Sequence, residues 1–267
     1  HTPLLLVTPQ AANKTMGQGG FQEVEQMNLF KDMVCYQEEV RDPSRMAEVL
    51  NRVIEKAIRG SAPAQINVPR DYWTQVIDIE LPPIVRLERQ GGGAEAINEA
   101  AKLLSNAKFP VILSGAGVVI GNAIEETKKI AEKLDSPVCS GYQHNDSFPG
   151  SHPLAAGPLG YNGSKAAMEL ISKADVVLAL GTRLNPFSTL PGYGIDYWPK
   201  NANIIQVDIN PDRIGLTKKV TVGISGDAKL VAQQIFEKLS SNAGDTDRQK
   251  RKDLIHQTKS AWLQKLS

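Results

Sequence analysis

In the second half of the chain, short apolar runs alternate with amphipathic helical patterns, and this alternation constrains the fold more than any other sequence feature. The predicted strands are Pro110–Ser114, Val138–Ser140, Val176–Leu180, Ile204–Ile209 and Val220–Ile224. The helical patterns are Ala94–Asn106, Ala123–Leu134, Lys165–Lys173 and Ala228–Leu239. Strands that alternate with helices form a parallel sheet covered on both faces, so we predict the α/β fold class.

The first half of the chain contains a smaller set of the same elements. Strands are predicted at Pro3–Val7, Met33–Tyr36 and Ala64–Val68. A helix is predicted between Asp42, which is a favoured N-cap residue, and Gly60, which favours a helix C-terminus. We therefore expect a second parallel-sheet domain. Because the chain enters this domain directly in a strand, we expect the domain to be truncated at its N-terminus.

Proline and glycine clusters indicate where the chain divides. Pro82-Pro83 and Gly91-Gly92-Gly93 predict a linker, since both residue types interrupt regular structure. The end of the chain is polar at first and then has a helical pattern, which we expect to lead towards a further domain. The predicted segments are a first domain at 1–80, the linker at 81–93, a second domain at 94–240 and a connecting segment with a helix at 241–267.

Composition excludes several classes of function. The formal net charge is +1, from 30 basic and 29 acidic residues, so the strong positive field that nucleic-acid binding requires is missing. No apolar run approaches the length of about 18 residues that a membrane span needs, and no signal peptide is visible. The two cysteines are far apart in sequence, which disfavours a disulfide framework or a zinc site. We expect a cytoplasmic protein that binds neither nucleic acid nor membrane.

A glycine-rich turn follows the first strand of the second half. Pro110–Ser114 continues into Gly115-Ala-Gly117-Val-Val-Ile-Gly121 and then into a helix. Glycines allow backbone amides to approach a phosphate, and a helix N-terminus favours negative charge. The spacing is GxGxxxG, and no acidic residue ends the next strand to hold a ribose, so a standard NAD site is poorly supported. A tight turn without any ligand explains these glycines equally well.

Two further strand ends carry charged side chains. Arg183 lies just beyond Val176–Leu180, and Asp208 and Ile209 end the following strand. Ligands of open α/β sheets bind outside the carboxyl ends of strands, so Gly115, Arg183 and Asp208 are expected to converge on one crevice. Alternatively, Arg183 and Asp208 only pair with each other or cap loops. No HxxxH or HExxH spacing occurs, so no metal site is predicted.

The tripeptide Phe21-Gln22-Glu23 closes the first long loop of the chain. Loops that follow strands often carry functional residues, which makes this tripeptide a candidate site. The alternative is that Phe21 belongs to the core and that Glu23 is a surface charge.

Taken in order, these motifs resemble the acetolactate-synthase-like superfamily of thiamin-diphosphate (ThDP) enzymes. Phe21-Gln22-Glu23 and the string from Gly60 to Asp71 resemble the second half of the pyrimidine-binding domain. Strings that resemble the Rossmann-like central domain are Pro110–Gly117, Ser151–Pro153, Gly157–Gly160, Leu180–Arg183, Val207–Ile209 and Gly226–Lys229. Strings similar to the sulfoacetaldehyde acetyltransferase family in particular are Val7–Lys14, Gly17–Gln26, Asp32–Arg45, His144–Pro149 and Asp196–Pro199.

The resemblance implies a reaction and its partners. Sulfoacetaldehyde and phosphate would be converted to acetyl phosphate and sulfite with ThDP as cofactor, and Mg²⁺ would bridge the cofactor diphosphate to the protein. It also implies that the full-length parent is a homodimer or homotetramer. An acetolactate-synthase-like carboligase, a nucleotide-binding module and a scaffold remain alternatives.

Site residues follow from the resemblance position by position. Phe21, Gln22 and Glu23 match the loop that faces cofactor and substrate. Residues that match the flavin pocket of acetolactate synthases are Gly115, Gly117, Arg183, Asp208 and Ile209. Tyr161-Asn162 and Phe187 depart from the pattern of those synthases, so FAD is not expected as an obligatory cofactor.

Two motifs of the superfamily are not found in this sequence. The glutamate that assists cofactor activation belongs to a stretch that would precede His1. The GDG…N motif that binds Mg²⁺ and diphosphate is not matched by Gly226-Asp227-Ala228 or by Gly244-Asp245-Thr246. We therefore assign no catalytic residue with certainty, and we predict that the isolated chain does not turn over substrate.

Overall fold

The computed structural model describes residues 2–83, 85, 88–240 and 245–267. It divides into two compact units, His1–Leu87 and Glu88–Ser267, and the α/β class predicted from sequence is confirmed in both. The division falls within the segment 81–93. Ile84, Arg86 and Leu87 of that segment lie outside the described residues, so the assignment of a linker there stays a prediction.

Among its described residues, the first unit contains a three-stranded parallel sheet. The strands are β1 (Leu4–Gln10), β2 (Tyr36–Glu39) and β3 (Pro63–Pro69), in the order β1-β3-β2. The helices are α1 (Gln26–Phe30) and α2 (Met46–Gly60). The apolar side of α2 and one face of the sheet form a small core of Val40, Val49, Val53, Ala57, Ala64, Ile66 and Val68.

The predicted strand at Met33–Tyr36 is wrong, because β2 begins only at Tyr36. In the observed register Tyr36 pairs with Ala64, and the Cys35 N–H donates to the Pro63 carbonyl oxygen at 2.8 Å. Since β3 begins at Pro63, residues before Cys35 have no strand to pair with. Met33 is accordingly 63% exposed.

Capping residues explain where α2 begins and ends. The Asp42 carboxylate accepts the Ser44 N–H at 2.8 Å and so caps a short 3₁₀ turn, Pro43–Arg45, which leads into the helix. Ser61 adopts a left-handed conformation with φ of 45°, so Gly60 is the last helical residue instead of the cap.

The second unit contains a six-stranded sheet among its described residues, and every strand pair in it is parallel. Its strands are β4 (Pro110–Ser114), β5 (Val138–Ser140), β6 (Ala155–Pro158), β7 (Val176–Leu180), β8 (Asn203–Asp208) and β9 (Val222–Ser225). Its helices are α3 (Ala94–Asn106), α4 (Ala116–Ile120), α5 (Ile124–Leu134), α6 (Lys165–Ile171), α7 (Ala228–Lys238) and α8 (Asp245–Leu266). The strand order β6-β5-β4-β7-β8-β9 is that of dinucleotide-binding doubly wound folds.

The last helix, α8, packs against the rest of the second unit. Ile255 of α8 is 2% exposed and belongs to the main core, and the Arg251 guanidinium donates to the Leu134 carbonyl oxygen at 2.7 Å. Residues 241–244, which precede α8, lie outside the described residues. That this helix leads towards a further domain stays a prediction. No helix in the described part of the chain is long and apolar enough to cross a membrane.

Candidate functional site

The carboxyl ends of β4 and β7 meet at the centre of the six-stranded sheet. β5 and β6 extend the sheet on one side of this pair, and β8 and β9 extend it on the other. In doubly wound folds the crevice at such a reversal of strand order is where ligands bind. Gly115 and Gly117 follow β4, and Gly181 follows β7, so the glycine-rich turn lies at this point.

Close contact between two backbone segments accounts for these glycines. The Gly117 N–H donates to the Gly181 carbonyl oxygen at 2.8 Å, and the Gly115 N–H donates to the Leu180 carbonyl oxygen at 3.0 Å. A Cβ atom on Gly115 would lie 2.6 Å from that Gly181 oxygen, and one on Gly117 would lie 2.6 Å from the Gly181 Cα. These two amide groups are therefore used within the protein, and a tight turn explains the glycines without a phosphate.

Arg183, Asp208 and Ile209 lie along the same edge of the sheet, at the ends of the neighbouring strands β7 and β8. Asp208 is 9% exposed and accepts the Asn210 N–H at 2.9 Å, whereas Arg183 is exposed and Ile209 is 65% exposed. Burial raises the pKa of the Asp208 carboxyl, and the Asn210 N–H and the charges of Arg213 and Arg183 oppose this rise. The edge thus holds a buried carboxylate beside an exposed cation.

In the first unit, Phe21 and Gln22 form an exposed turn. Phe21 is 83% exposed, so the alternative that it belongs to the core is wrong. Gln22 is also exposed and has a φ of 63°, a left-handed conformation that side chains other than glycine adopt at a cost. Both side chains are available to a ligand.

Glu23 does not share this outward orientation. One carboxylate oxygen accepts the Gly17 N–H at 2.6 Å, and the other accepts the Gly20 N–H at 3.0 Å. The hydrogen bond from Gly17, followed by that from Gly20, lowers the pKa of the Glu23 carboxyl. Glu23 therefore folds its own loop and is not simply a surface charge.

Three glutamines that the sequence analysis did not single out hold the segment after Glu23. Gln10, which is 8% exposed, donates to the Val24 carbonyl oxygen at 3.3 Å, and Gln37 donates to the Met27 carbonyl oxygen at 2.7 Å. Gln26 donates back to the Pro9 carbonyl oxygen. The signal that could have found them is the presence of Gln10 and Gln37 in strands, where apolar and β-branched residues are more usual.

A buried polar network lies on the sheet face opposite α2. Gln65 donates to the Thr8 hydroxyl at 2.9 Å, and that hydroxyl donates to the Asn67 side-chain oxygen at 2.9 Å. Asn67 in turn donates to Glu39 at 2.8 Å, and Gln37 donates to Gln65 at 3.0 Å. Buried polar groups that are paired in this way make a surface rigid. Gln37 links this network to Met27 in α1, the helix that follows the Phe21–Gln22 turn.

The described residues do not fit a site for Mg²⁺ and a diphosphate. No group of three or more metal-ligating side chains occurs within the described ranges. Asp227, the acid of one GD pair, caps α7 by accepting the Lys229 and Leu230 N–H groups at 3.0 and 3.2 Å. Its second oxygen accepts a hydrogen bond from Arg89 at 3.2 Å. Asp227 therefore has a structural role.

We expect Asp227→Ala to lower the free energy of unfolding of the second unit by about 2 kcal/mol, because the α7 cap is lost. Arg89 is 57% exposed, so Arg89→Ala should cost less than about 1 kcal/mol. Urea unfolding of both variants checks the prediction. Equal losses in the two variants would show that the ion pair, and not the cap, is what matters.

Residues 97–235 match the family described as thiamine pyrophosphate enzyme, central domain. The match covers more than half of the chain, and the chain belongs to this family. Over all 267 residues it is 79% identical to the probable sulfoacetaldehyde acetyltransferase of Rhizobium meliloti (strain 1021), of which it covers 45%. It is also 79% identical over 267 residues to the sulfoacetaldehyde acetyltransferase of Roseovarius nubinhibens, of which it covers 44%. The chain thus spans less than half the length of these relatives.

Among solved structures, the chain resembles benzoylformate decarboxylase from Polynucleobacter necessarius with a TM-score of 0.79. The similarity covers 92% of this chain and 46% of that chain, at 21% sequence identity. At this identity the likeness shows the fold alone.

Proposed function

We propose that this chain is part of a ThDP-dependent sulfoacetaldehyde acetyltransferase, which converts sulfoacetaldehyde and phosphate to acetyl phosphate and sulfite. The observation that carries the proposal is the 79% identity over the whole chain to two relatives of that name. Because the chain spans less than half of those relatives, the activity is assigned to the longer protein. The homodimer or homotetramer and the cytoplasmic location belong to the same proposal.

Within this chain, the Phe21–Gln22 turn is the proposed substrate-facing element. The Gln22 amide offers two N–H donors and one carbonyl acceptor, which suit a sulfonate or an aldehyde oxygen. The Phe21 ring offers an apolar surface that can exclude water from the reacting group. The exposure of both side chains in the first unit supports this assignment.

ThDP and Mg²⁺ are assigned to the longer protein, since the described residues of this chain do not fit the metal and diphosphate. We further propose that the edge formed by Gly115, Gly117, Arg183, Asp208 and Ile209 does not hold an obligatory FAD. The internal hydrogen bonds of the Gly115 and Gly117 amides support that view. Protein purified without added flavin should show no flavin absorbance band and should gain no activity when FAD is added.

The full reading frame that encodes this chain should be expressed and assayed with ThDP, Mg²⁺ and phosphate, with sulfoacetaldehyde or pyruvate as donor. We expect sulfite and acetyl phosphate from sulfoacetaldehyde, and no acetolactate from pyruvate. Acetolactate formed from pyruvate, with no sulfite from sulfoacetaldehyde, would instead support the acetolactate-synthase-like carboligase.

A further inference from the structure

The loop between β1 and α1 is closed at its base by Gln10. The Gln10 side-chain oxygen accepts the Ala11 N–H at 2.9 Å, and its amide nitrogen donates to the Val24 carbonyl oxygen at 3.3 Å. One buried side chain therefore joins the residue that enters the loop to the residue that leaves it. Loop ends that lie close together in this way are typical of Ω-loops.

Nearer the tip, Glu23 ties the glycine-rich part of the loop to the Phe21–Gln22 turn. Its two carboxylate oxygens accept N–H groups from Gly17 and Gly20, and its own N–H donates to the Gly20 carbonyl oxygen at 3.2 Å. Hydrogen bonds from backbone N–H groups to a carboxylate are stronger than those between neutral groups. Glu23, which follows the turn, is thus bonded through its side chain and its backbone to the glycines that precede the turn.

The conformation of Gln22 requires such support. Its φ of 63° is a left-handed conformation, which persists in a residue other than glycine only when the surrounding structure enforces it. Glu23 follows it directly and Gly20 precedes it by two residues, so the Gly20–Glu23 hydrogen bonds close the turn in which Gln22 sits.

We propose that Glu23 and Gln10 are positioning residues, which hold the Phe21–Gln22 turn in the geometry used by the reacting substrate. This inference rests on the proposed role of that turn. Neither residue contacts the substrate: Glu23 acts through the turn, and Gln10 acts by closing the base of the loop. The loop is therefore preorganised before substrate binds, which reduces the conformational entropy that is lost on binding.

A double-mutant cycle in the full-length protein tests the inference. Glu23→Gln keeps the size of the side chain but replaces one acceptor oxygen by an NH₂ donor, so one backbone N–H loses its partner. We expect about a tenfold fall in kcat/KM for the donor that the wild-type protein turns over, with an unchanged thermal midpoint. On a Gln22→Ala background the same substitution should cause no further loss, because the two residues act in series.

Glu25→Gln is the matched control, since Glu25 is exposed and its side chain makes no hydrogen bond among the described residues. This variant should retain full activity. The inference would be overturned if the loss of kcat/KM in the double variant equalled the product of the Glu23→Gln and Gln22→Ala losses. Wild-type activity of Glu23→Gln would also overturn it. Gln10→Met, which preserves length and removes both hydrogen bonds, should give the same pattern as Glu23→Gln.

Amide hydrogen exchange separates this inference from the proposed function. In the Glu23→Gln protein one of the two amides, Gly17 or Gly20, should exchange at least tenfold faster than in Glu25→Gln. Unchanged exchange would contradict the role of Glu23 whatever donor the protein uses. A wild-type protein that releases no sulfite would contradict the substrate assignment alone, and the cycle would then be run with pyruvate.

Discussion

Gly181→Ala is expected to lower the free energy of unfolding of the second unit by about 3 kcal/mol or more. A Cβ atom at this position would lie 2.7 Å from the Gly117 Cα and 2.8 Å from the Val118 backbone nitrogen, and backbone atoms cannot move aside cheaply. Gly181 also has a φ of 61°, which L-residues with a side chain adopt at a cost of about 1–2 kcal/mol. Crowding and backbone strain therefore add at the centre of the sheet.

Two other glycines separate these causes. Gly194 has a φ of 71° with no atom within 4 Å of an added Cβ, so Gly194→Ala should show the strain alone, at about 1–2 kcal/mol. Gly93 has open space and no positive φ, so Gly93→Ala should be nearly neutral. Urea unfolding followed by circular dichroism measures all three variants. A loss in Gly181→Ala no larger than in Gly194→Ala would contradict the close approach of Gly181 to the turn at Gly117 and Val118.

Gln22→Ala is expected to reduce sulfite release by the full-length protein about a hundredfold or more. The reason is that the amide is assigned to orient the substrate at the reacting atoms. Its removal should therefore lower the reaction rate much more than it lowers the stability of the fold. The effect should be larger on kcat than on KM if the amide contacts the substrate more strongly in the transition state. Steady-state kinetics with sulfoacetaldehyde as the varied substrate makes the distinction.

Gln18→Ala is the control for this prediction, because Gln18 is exposed in the same loop and its side chain has no hydrogen bond among the described residues. It should retain activity. Gln22→Gly removes the same amide but relieves the left-handed strain, so it should be as inactive as Gln22→Ala. Activity retained in Gln22→Gly would mean that the backbone conformation matters and the amide does not.

Several elements of the second unit that lie between clear breaks could be predicted to the residue. The bounds of β4, β5, β7 and α3 agree with those predicted. β6 was missed because Ala155–Pro158 contains no β-branched or aromatic residue, and only its pairing with β5 makes it a strand. β2 was misplaced because the place where it begins depends on its register with β3. A local sequence pattern does not contain that register.

The candidate site, like the fold, could be predicted from sequence only in part. That Arg183 and Asp208 lie on one edge could be inferred, because parallel strands bring their carboxyl ends together. The packing of Gly117 against Gly181 could not be inferred, since it depends on contact between residues 64 positions apart in sequence. The roles of Gln10 and Glu23 depend on the path of the loop, which sequence periodicity does not describe.

The most direct test of the account is the ratio of two products formed by the full-length protein from sulfoacetaldehyde and phosphate. Sulfite and acetyl phosphate should appear in equal amounts and at equal rates, and both should disappear when ThDP is omitted. Sulfite without acetyl phosphate would contradict the transfer to phosphate. Absence of both products in the presence of ThDP, Mg²⁺ and phosphate would contradict the assignment of this chain to a sulfoacetaldehyde acetyltransferase.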